Sequence, residues 1–437
     1  MKVKGMVSFL LAATLISGVV LTGCGGSKES TSVSSNSSAQ SAQTSTSAES
    51  TKADVALIEA DKIFLFQSKV EIVDQLEALA KDYQKEKGIE LEVQGTTGDD
   101  YFQQLKIKLA NNQGPTVFSL APGAESAQMT SYLEDLSGLS FIDKIAKGMA
   151  NVIDNKVVGI PYTVEGFGVV YNKKMIDAAT IKDYDSFVNM LKDQKAKGIS
   201  GFSLSSPSYF LIGHILNTPF ALQKNPNEFI GDLTAGKVKM ADTPEFQEFA
   251  KFYAAIRDYA NNPLKDNYDK QIGDFATGKS AAIHQGNWCS GMFTDFKEKV
   301  DMGMMPLPIA GNDKIAVSVP TAWYVNSMAS EAEKKAGKGF LEWLYSSDTG
   351  KKYLMDEFKF IPVVSGMENA NLDVLSKDVQ KYTAEGKTIS WPMSNWPAGI
   401  VDVHFVPVAQ KFFTSKMTPE EFLKEMDEAW VKASSKK

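Results

Sequence analysis

The chain has 437 residues, of which 43% are hydrophobic and 23% are charged, and its formal net charge is −7 at pH 7. This acidic balance argues against nucleic acid or an anionic lipid surface as a partner, because both select for basic patches. A chain of this length is too large for one hydrophobic core of the usual size, so two lobes are expected.

The N-terminus has the layout of a secretory signal followed by a cysteine. Lys2 and Lys4 form a positive region, residues 6–21 are apolar, and Leu-Thr-Gly then leads to Cys24. The apolar stretch is too short to span a bilayer. It resembles a bacterial lipobox, which implies a signal peptide over residues 1–23 and a lipid on Cys24. The alternative is a chance cysteine behind a signal peptide.

The segment after Cys24 is rich in Ser, Thr, Ala and Gln and has hardly any large apolar residue. Such a segment cannot bury enough surface to offset its chain entropy. Residues 24–60 are therefore expected to be a flexible tether that holds the folded part away from the membrane.

Strands and amphipathic helices alternate from residue 61 onward. Apolar residues at helical spacing, ended by Gly88, predict the first helix. The predicted order is strand 63–66, helix 70–87, strand 89–93, helix 101–110 and strand 117–120. This alternation predicts a mostly parallel sheet covered by helices, with ligands bound beyond the carboxyl ends of its strands. Gln67, Lys69, Asp99 and Glu125 fall at those ends.

Residues 159–172 are predicted to form strand, loop and strand, with Glu165 and two glycines in the loop. An ordinary connection and a hinge between lobes are both compatible with this pattern. The later predicted elements are helix 184–196, strand 202–204, a helix opened by Thr243-Pro244, a strand leading to Trp288, strand 302–305, a return strand over 317–325, helix 331–345, an extended segment 360–364, a loop over 391–396 and a helix opened by the Thr418–Glu421 capping box.

The order of these pieces resembles the extracellular solute-binding proteins of ABC importers, specifically family 1, the group that includes maltose-binding protein. The motifs that support this are Val-Tyr-Asn-Lys-Lys at 170–174, Gly-Lys-Ser-Ala-Ala at 278–282 leading to Gly-Asn-Trp at 286–288, and Phe-Leu-Glu-Trp-Leu at 340–344 followed by Ile-Pro-Val at 361–363. The resemblance covers the chain from about residue 61 to the end. Pro115-Thr116 stands where the family usually has Pro-Asp.

The resemblance implies an α/β, two-lobe fold of type II. Each lobe would be a mostly parallel sheet with flanking helices, and three hinge crossovers would join the lobes at about 163–168, 314–319 and 360–363. One lobe would be residues 61–165 plus 318–360, and the other 166–315 plus 363–437. The resemblance also implies a monomer that captures a sugar by hinge closure and delivers it to the permease subunits of an ABC importer.

A sugar presents C–H faces to aromatic rings and hydroxyls to polar groups. The candidate ligand-binding residues are therefore Gln67, Lys69, Asp99, Glu125, Tyr162, Glu165, Tyr209, Asn287, Trp288, Trp323 and Trp396. Core packing is the alternative for each Trp, and a solvated loop or a helix cap is the alternative for the polar residues. Trp288 and Trp396 lie among glycine or polar residues, so replacing either by alanine is expected to weaken binding with little loss of thermal stability.

Catalysis has little support in the sequence. His214, His284 and His404 are far apart in apolar runs, and HExxH and GxSxG motifs do not occur. Neither a metal site nor a cofactor is expected, and Cys289 is interpreted as a buried apolar residue. Two alternatives to a binding protein stay open: a surface glycosidase, which needs only two carboxylates, and an adhesive lipoprotein.

Overall fold

The computed structural model describes residues 60–95, 100–111, 113–294, 296–367 and 371–435. The predicted signal peptide, Cys24, almost all of the predicted tether and Asp99 lie outside the described residues. Within the described part, every helix is too short or too polar to cross a membrane.

The strands are β1 Lys62–Gln67, β2 Glu90–Gly95, β3 Val117–Leu120, β4 Asn151–Ile153, β5 Lys156–Pro161, β6 Glu165–Asn172, β7 Ala282–Gly286, β8 Met302–Met305, β9 Ile315–Ser318, β10 Ala322–Val325 and β11 Thr388–Ile389. The helices are α1 Val73–Lys87, α2 Tyr101–Ala110, α3 Ala124–Gln128, α4 Tyr184–Ala196, α5 His214–Ala221, α6 Pro226–Thr234, α7 Pro244–Tyr259, α8 Tyr268–Ala276, α9 Glu331–Ser346, α10 Asp348–Lys352, α11 Val374–Ala384, α12 Val406–Thr414 and α13 Pro419–Ser434.

The strands of the described residues form two sheets. The first has the strand order β2-β1-β3-β10-β5-β4, and the second has the order β11-β9-β6-β7 with β8 also paired to β6. We call the first sheet with its helices lobe 1, and the second sheet with its helices lobe 2. The predicted two-lobe α/β architecture is confirmed.

The sheets are mixed, which corrects the expectation that each is mostly parallel. Only the pairs β1–β2, β1–β3 and β9–β11 run parallel among the pairs described. Strand β10 starts at Ala322, opposite Leu120 and Pro161 at the ends of β3 and β5. Because β10 enters the sheet at the edge where its neighbours end, it has to run antiparallel to both.

Two predicted strands differ from the structure. Residues 202–204 form a single isolated bridge, from Ser203 to Ile283, and not a full strand. The return strand predicted over 317–325 is broken at Pro320, so that its two halves, β9 and β10, belong to different sheets. Proline lacks the N–H that a continuous ladder needs, which explains the break.

Local signals place the helix ends as predicted. Helix α1 ends at Gly88, whose φ of 73° lies in the left-handed region that glycine tolerates. Helix α13 starts with Pro419, and the Thr418 side chain accepts a hydrogen bond from the Glu421 backbone in a capping box. These ends depend on neighbouring residues only, so the sequence is enough to locate them.

Apolar side chains cover both faces of the lobe 1 sheet. One face packs Leu65 against helices α1 and α9, and the other packs Phe66 against α2. In lobe 2, the larger core contains Trp430 and the smaller contains Cys289, both buried as predicted. The two lobes therefore have separate hydrophobic cores, as a chain of this length requires.

The chain passes between the sheets at short crossovers. The first joins β5 to β6 through residues 162–164, and the second joins β9 to β10 through residues 319–321. The Thr163 hydroxyl accepts a hydrogen bond of 2.9 Å from the Ile361 backbone N–H. Val164 also forms a bridge with Ile361, so the first crossover is tied to the extended segment around residue 361.

Candidate functional site

A cavity of about 330 Å³ lies between the two lobes, within the volume range of small-molecule sites. Lobe 1 lines it with residues that follow β1 and β3 and with the first turns of α2 and α3. Lobe 2 lines it with residues 207–210, the first residue of α5, Trp288 just after β7, and most of residues 391–402. The carboxyl ends of β1, β3 and β7 thus meet at one site, as expected for α/β sheets.

A buried ion pair forms part of the cavity wall. Lys69 Nζ lies 2.5 Å from Glu165 Oε1, and their side chains are only 11% and 5% exposed. Burial lowers the pKa of Lys69, but the negative charges of Glu165 and Glu71 outweigh burial and leave that pKa raised. Lys69 is therefore charged at neutral pH and offers N–H donors at the wall of the cavity.

A second carboxyl group, Glu125, lines the cavity from the first turn of α3. Burial raises the pKa of Glu125 to about 7, the Ala121 backbone opposes this shift, and the charge of Asp402 adds to it. Asp402 lines the same cavity from lobe 2. At neutral pH Glu125 can therefore act as a hydrogen-bond donor or as an acceptor.

Trp288 is held in place by a chain of buried amides. Its indole N–H donates to Gln285 Oε1 at 2.7 Å, Gln285 Nε2 donates to Gln271 Oε1 at 2.7 Å, and Gln271 Nε2 donates to the Ser203 carbonyl at 2.7 Å. The ring lies directly against Gly286, where a Cβ atom would clash with it. The ring is therefore oriented before any ligand binds.

Aromatic side chains form much of the lobe 2 wall. Tyr209 is 36% exposed, and the Phe210 ring lies nearly parallel to the Trp288 ring with 6.2 Å between centroids. Tyr268 and Trp391 line the same cavity. This combination of aromatic faces with buried charged groups suits an amphipathic ligand that carries both C–H faces and hydroxyls.

The two lobes also contact each other at the rim of the cavity. Tyr268 Oη lies 3.4 Å from Glu71 Oε1, which joins α8 of lobe 2 to the segment after β1. Elsewhere on the rim, Gly123 has a φ of 100° and sits against the Ser394 carbonyl so closely that a Cβ atom would overlap it. The lobes therefore approach each other on more than one side of the cavity.

The structure brings Lys69, Glu125, Glu165, Tyr209 and Trp288 together at this cavity. Glu165, which the sequence places in a loop, is the first residue of β6.

Trp396 lines the cavity but is 2% exposed, and most of its ring packs against Phe220, Phe405 and Trp430. The expectation that its removal would spare stability does not fit this packing.

Four other candidates lie elsewhere. Tyr162 and Trp323 stack on each other with 3.7 Å between ring centroids inside the lobe 1 core, because β10 pairs with β5 and brings the two rings together. Gln67 is buried and accepts a hydrogen bond from the Lys69 backbone N–H, so it is turned away from the cavity. Asn287 accepts from the Gly166 N–H and donates to Ser376, and it lines a separate space of about 70 Å³.

The sequence pattern did not indicate several lining residues; among them are Glu71, Tyr101, His214, Tyr268 and Asp402. Tyr101 and Tyr268 stand at helix starts and belong to apolar helical patterns, which favour a core assignment. Asp402 is an acid inside an otherwise apolar run, and this is the one local signal that could have marked it.

The fold and the cavity define a two-lobed ligand-binding protein. Residues 78–386 match the family model of the bacterial extracellular solute-binding proteins. The chain belongs to this family of solute-binding proteins, as the sequence motifs predicted.

A curated relative is the maltooligosaccharide ABC transporter solute-binding lipoprotein of Streptococcus pneumoniae strain R6, which is 24% identical over 66% of this chain and 69% of its own length. Among solved structures, a chitin oligosaccharide binding protein aligns with a TM-score of 0.73 and 20% identity, over 85% of this chain and 99% of its own. A solute-binding protein in complex with raffinose aligns with a TM-score of 0.71 and 19% identity, over 86% of this chain and 100% of its own. These structures share the fold of this chain.

Proposed function

We propose that the protein binds a carbohydrate of the oligosaccharide class between its lobes and releases it unchanged. The observation that carries the proposal is the cavity wall, which combines the aromatic side chains of Tyr209 and Trp288 with the Lys69–Glu165 ion pair and the Glu125 carboxyl group. Sugars need both kinds of contact. The similarity to proteins named for maltooligosaccharide, chitin oligosaccharide and raffinose supports the same ligand class.

We further propose that the protein is a monomer held at the extracytoplasmic face of the cell membrane by a lipid on Cys24, after removal of residues 1–23. Hinge closure around the sugar would present the closed form to the permease subunits of an ABC importer. The lobe boundaries 61–165 plus 318–360 and 166–315 plus 363–437 remain part of this proposal. The assignment of β5 and β10 to one sheet, and of β6 and β9 to the other, supports them.

Isothermal titration calorimetry with maltotriose, raffinose and chitotriose tests the ligand class. We expect one of these sugars to bind with a stoichiometry of one, and chromatography of the mixture to recover it intact. Trp288→Ala is expected to reduce the heat of binding, whereas Trp343→Phe, a change in the lobe 1 core, is the matched control. A wild-type protein that binds no sugar in the panel contradicts the proposal.

One observation favours a glycosidase as the second candidate. Glu125 and Asp402 line the same cavity, and the pKa of Glu125 is raised to about 7, which suits a general acid. We nevertheless propose no enzymatic activity, since the family is one of solute-binding proteins. Release of shorter sugars from maltotriose by the wild type but not by Glu125→Gln would support the enzyme instead.

A further inference from the structure

Two histidines face each other at the wall of the cavity. His214, the first residue of α5, lines the cavity and is 7% exposed, and His284 in the middle of β7 is completely buried. His214 Nδ1 lies 3.2 Å from His284 Nε2, and His284 Nδ1 lies 3.0 Å from the Gly168 carbonyl oxygen. The three groups form a hydrogen-bonded chain that leads from the backbone of β6 to the cavity.

The Gly168 carbonyl determines which atoms donate and which accept in this hydrogen-bonded chain. A carbonyl oxygen only accepts, so His284 Nδ1 carries a hydrogen and donates to Gly168. Burial lowers the pKa of His284 to about 4, against the opposing effect of that hydrogen bond, so the ring is neutral at pH 7 and its Nε2 atom is an acceptor. His214 Nδ1 must then be the donor to His284.

The last atom of the hydrogen-bonded chain, His214 Nε2, is an acceptor. Burial, and then the neighbouring His284, hold the pKa of His214 well below its usual range. A neutral ring with its hydrogen on Nδ1 has a lone pair on Nε2. Among the described residues no hydrogen bond to His214 Nε2 is found. The ring itself is held against Phe167, with 4.4 Å between centroids, and lies beside Trp288 and Trp391.

We infer that His214 Nε2 is a fixed acceptor for one hydroxyl of the bound sugar, and that Gly168 and His284 hold it in that role. The inference rests on the proposed function. His214 touches the sugar, whereas His284 acts through His214 and is a positioning residue. The contact selects for a sugar with a free hydroxyl at that point, because a ligand with only an acceptor there leaves His214 Nε2 buried without a partner.

The protonation pattern can be measured without any sugar. A long-range ¹H–¹⁵N correlation spectrum of histidine-labelled protein at pH 7 reports which ring nitrogen carries the hydrogen in each of the three histidines. We expect both His214 and His284 to carry it on Nδ1. In His284→Gln the constraint is removed, so His214 should populate both tautomers. A hydrogen found on His214 Nε2 in the wild type overturns the inference, whether or not a sugar binds.

The contact itself is tested with the sugar among maltotriose, raffinose and chitotriose that binds the wild type. His214→Asn keeps a donor within reach of His284 but removes the Nε2 acceptor, and His214→Phe keeps a ring of similar size. We expect each to weaken binding about tenfold, the cost of one buried hydrogen bond. His404→Asn, outside the cavity lining, is the control and should bind like the wild type.

The outcomes separate the inference from the proposed function. Wild-type affinity in both His214 variants overturns the inference and leaves the proposed function standing. If the wild type binds none of the three sugars, the result counts against the proposed function and also against the inferred contact. Melting temperatures of the variants show whether a loss of affinity reflects unfolding.

Discussion

Lys69 Nζ lies 2.5 Å from Glu165 Oε1, and this buried ion pair connects the end of the first strand of lobe 1 to the first residue of β6 in lobe 2. The pair lies beside the crossover at residues 162–164. Lys69 and Glu165 both line the cavity of about 330 Å³ and also the separate space of about 70 Å³, so the pair lies between the two. The ion pair therefore connects the first crossover between the lobes to the candidate ligand site.

Removing the lysine should destabilise the fold. Lys69→Met leaves the Glu165 carboxylate buried without its partner, and breaking one half of a buried pair costs about 3–5 kcal/mol. We expect a loss of about 3 kcal/mol in the free energy of unfolding, measured by urea denaturation. The double variant Lys69→Met/Glu165→Gln should recover most of that loss. The control Lys62→Met breaks exposed pairs and should change little.

The two tryptophans at the cavity should behave differently on truncation. Trp396→Ala opens a hole among Phe220, Phe405 and Trp430, which costs about 3–5 kcal/mol. Trp288 is only partly buried, so Trp288→Ala should weaken sugar binding with a smaller loss of melting temperature. Circular dichroism and calorimetry with raffinose or maltotriose measure the two effects. Equal losses of melting temperature would mean that Trp288 also belongs to the core.

A methyl group at the lobe contact should disfavour closure. Gly123→Ala places a Cβ atom against the Ser394 carbonyl across the rim, and each 1.4 kcal/mol of strain confined to the closed form lowers affinity about tenfold. We expect weaker binding and a larger radius of gyration by small-angle scattering. Gly88→Ala is the control, since its φ is also positive but a Cβ there meets nothing within 4 Å. The same radius of gyration in both variants would contradict the prediction.

The stability of the protein should depend on the protonation of Glu125. Its folded-state pKa is raised to about 7, above the ordinary value of 4.5 that applies to the unfolded chain. The folded state therefore binds the proton more tightly, and the resulting stability is full below about pH 4.5 and lost as the pH rises through 7.

The measurement for this prediction is a comparison with Glu125→Gln, which cannot titrate. Urea midpoints at pH 5 and pH 8 should show the wild type losing more stability between these values than the variant does. Parallel pH profiles for the two proteins would show that Glu125 does not titrate in this range.

The order of helices and strands could be predicted because its signals are local. Capping residues such as Thr418, the stop at Gly88 and apolar periodicity depend on a few neighbouring residues, and each marks an element in the structure. Strand direction is different, because it depends on which edge of the sheet a returning segment enters. Strand β10 makes the lobe 1 sheet mixed because it enters at the edge where β3 and β5 end, and no local sequence pattern indicates that direction.

The candidate site was predicted in part. Lys69 and Glu125 follow strands at the carboxyl edge, so a general property of α/β sheets located them. Glu165 was chosen because it lies in the connection between β5 and β6. Tyr162 and Trp323 were assigned to the cleft, but they stack in the core, since the pairing of β5 with β10 decides which way their rings face. His214 and His284 were dismissed because 70 residues separate them in sequence.

By itself the sequence determined the alternating α/β pattern and the family, because each of these depends on residues that are close together along the chain. Only the tertiary structure decided which aromatic rings face the cavity, which acids share it, and that two distant histidines form a chain. These features depend on side chains from separate elements meeting in space, and burial and proton affinity follow from that meeting.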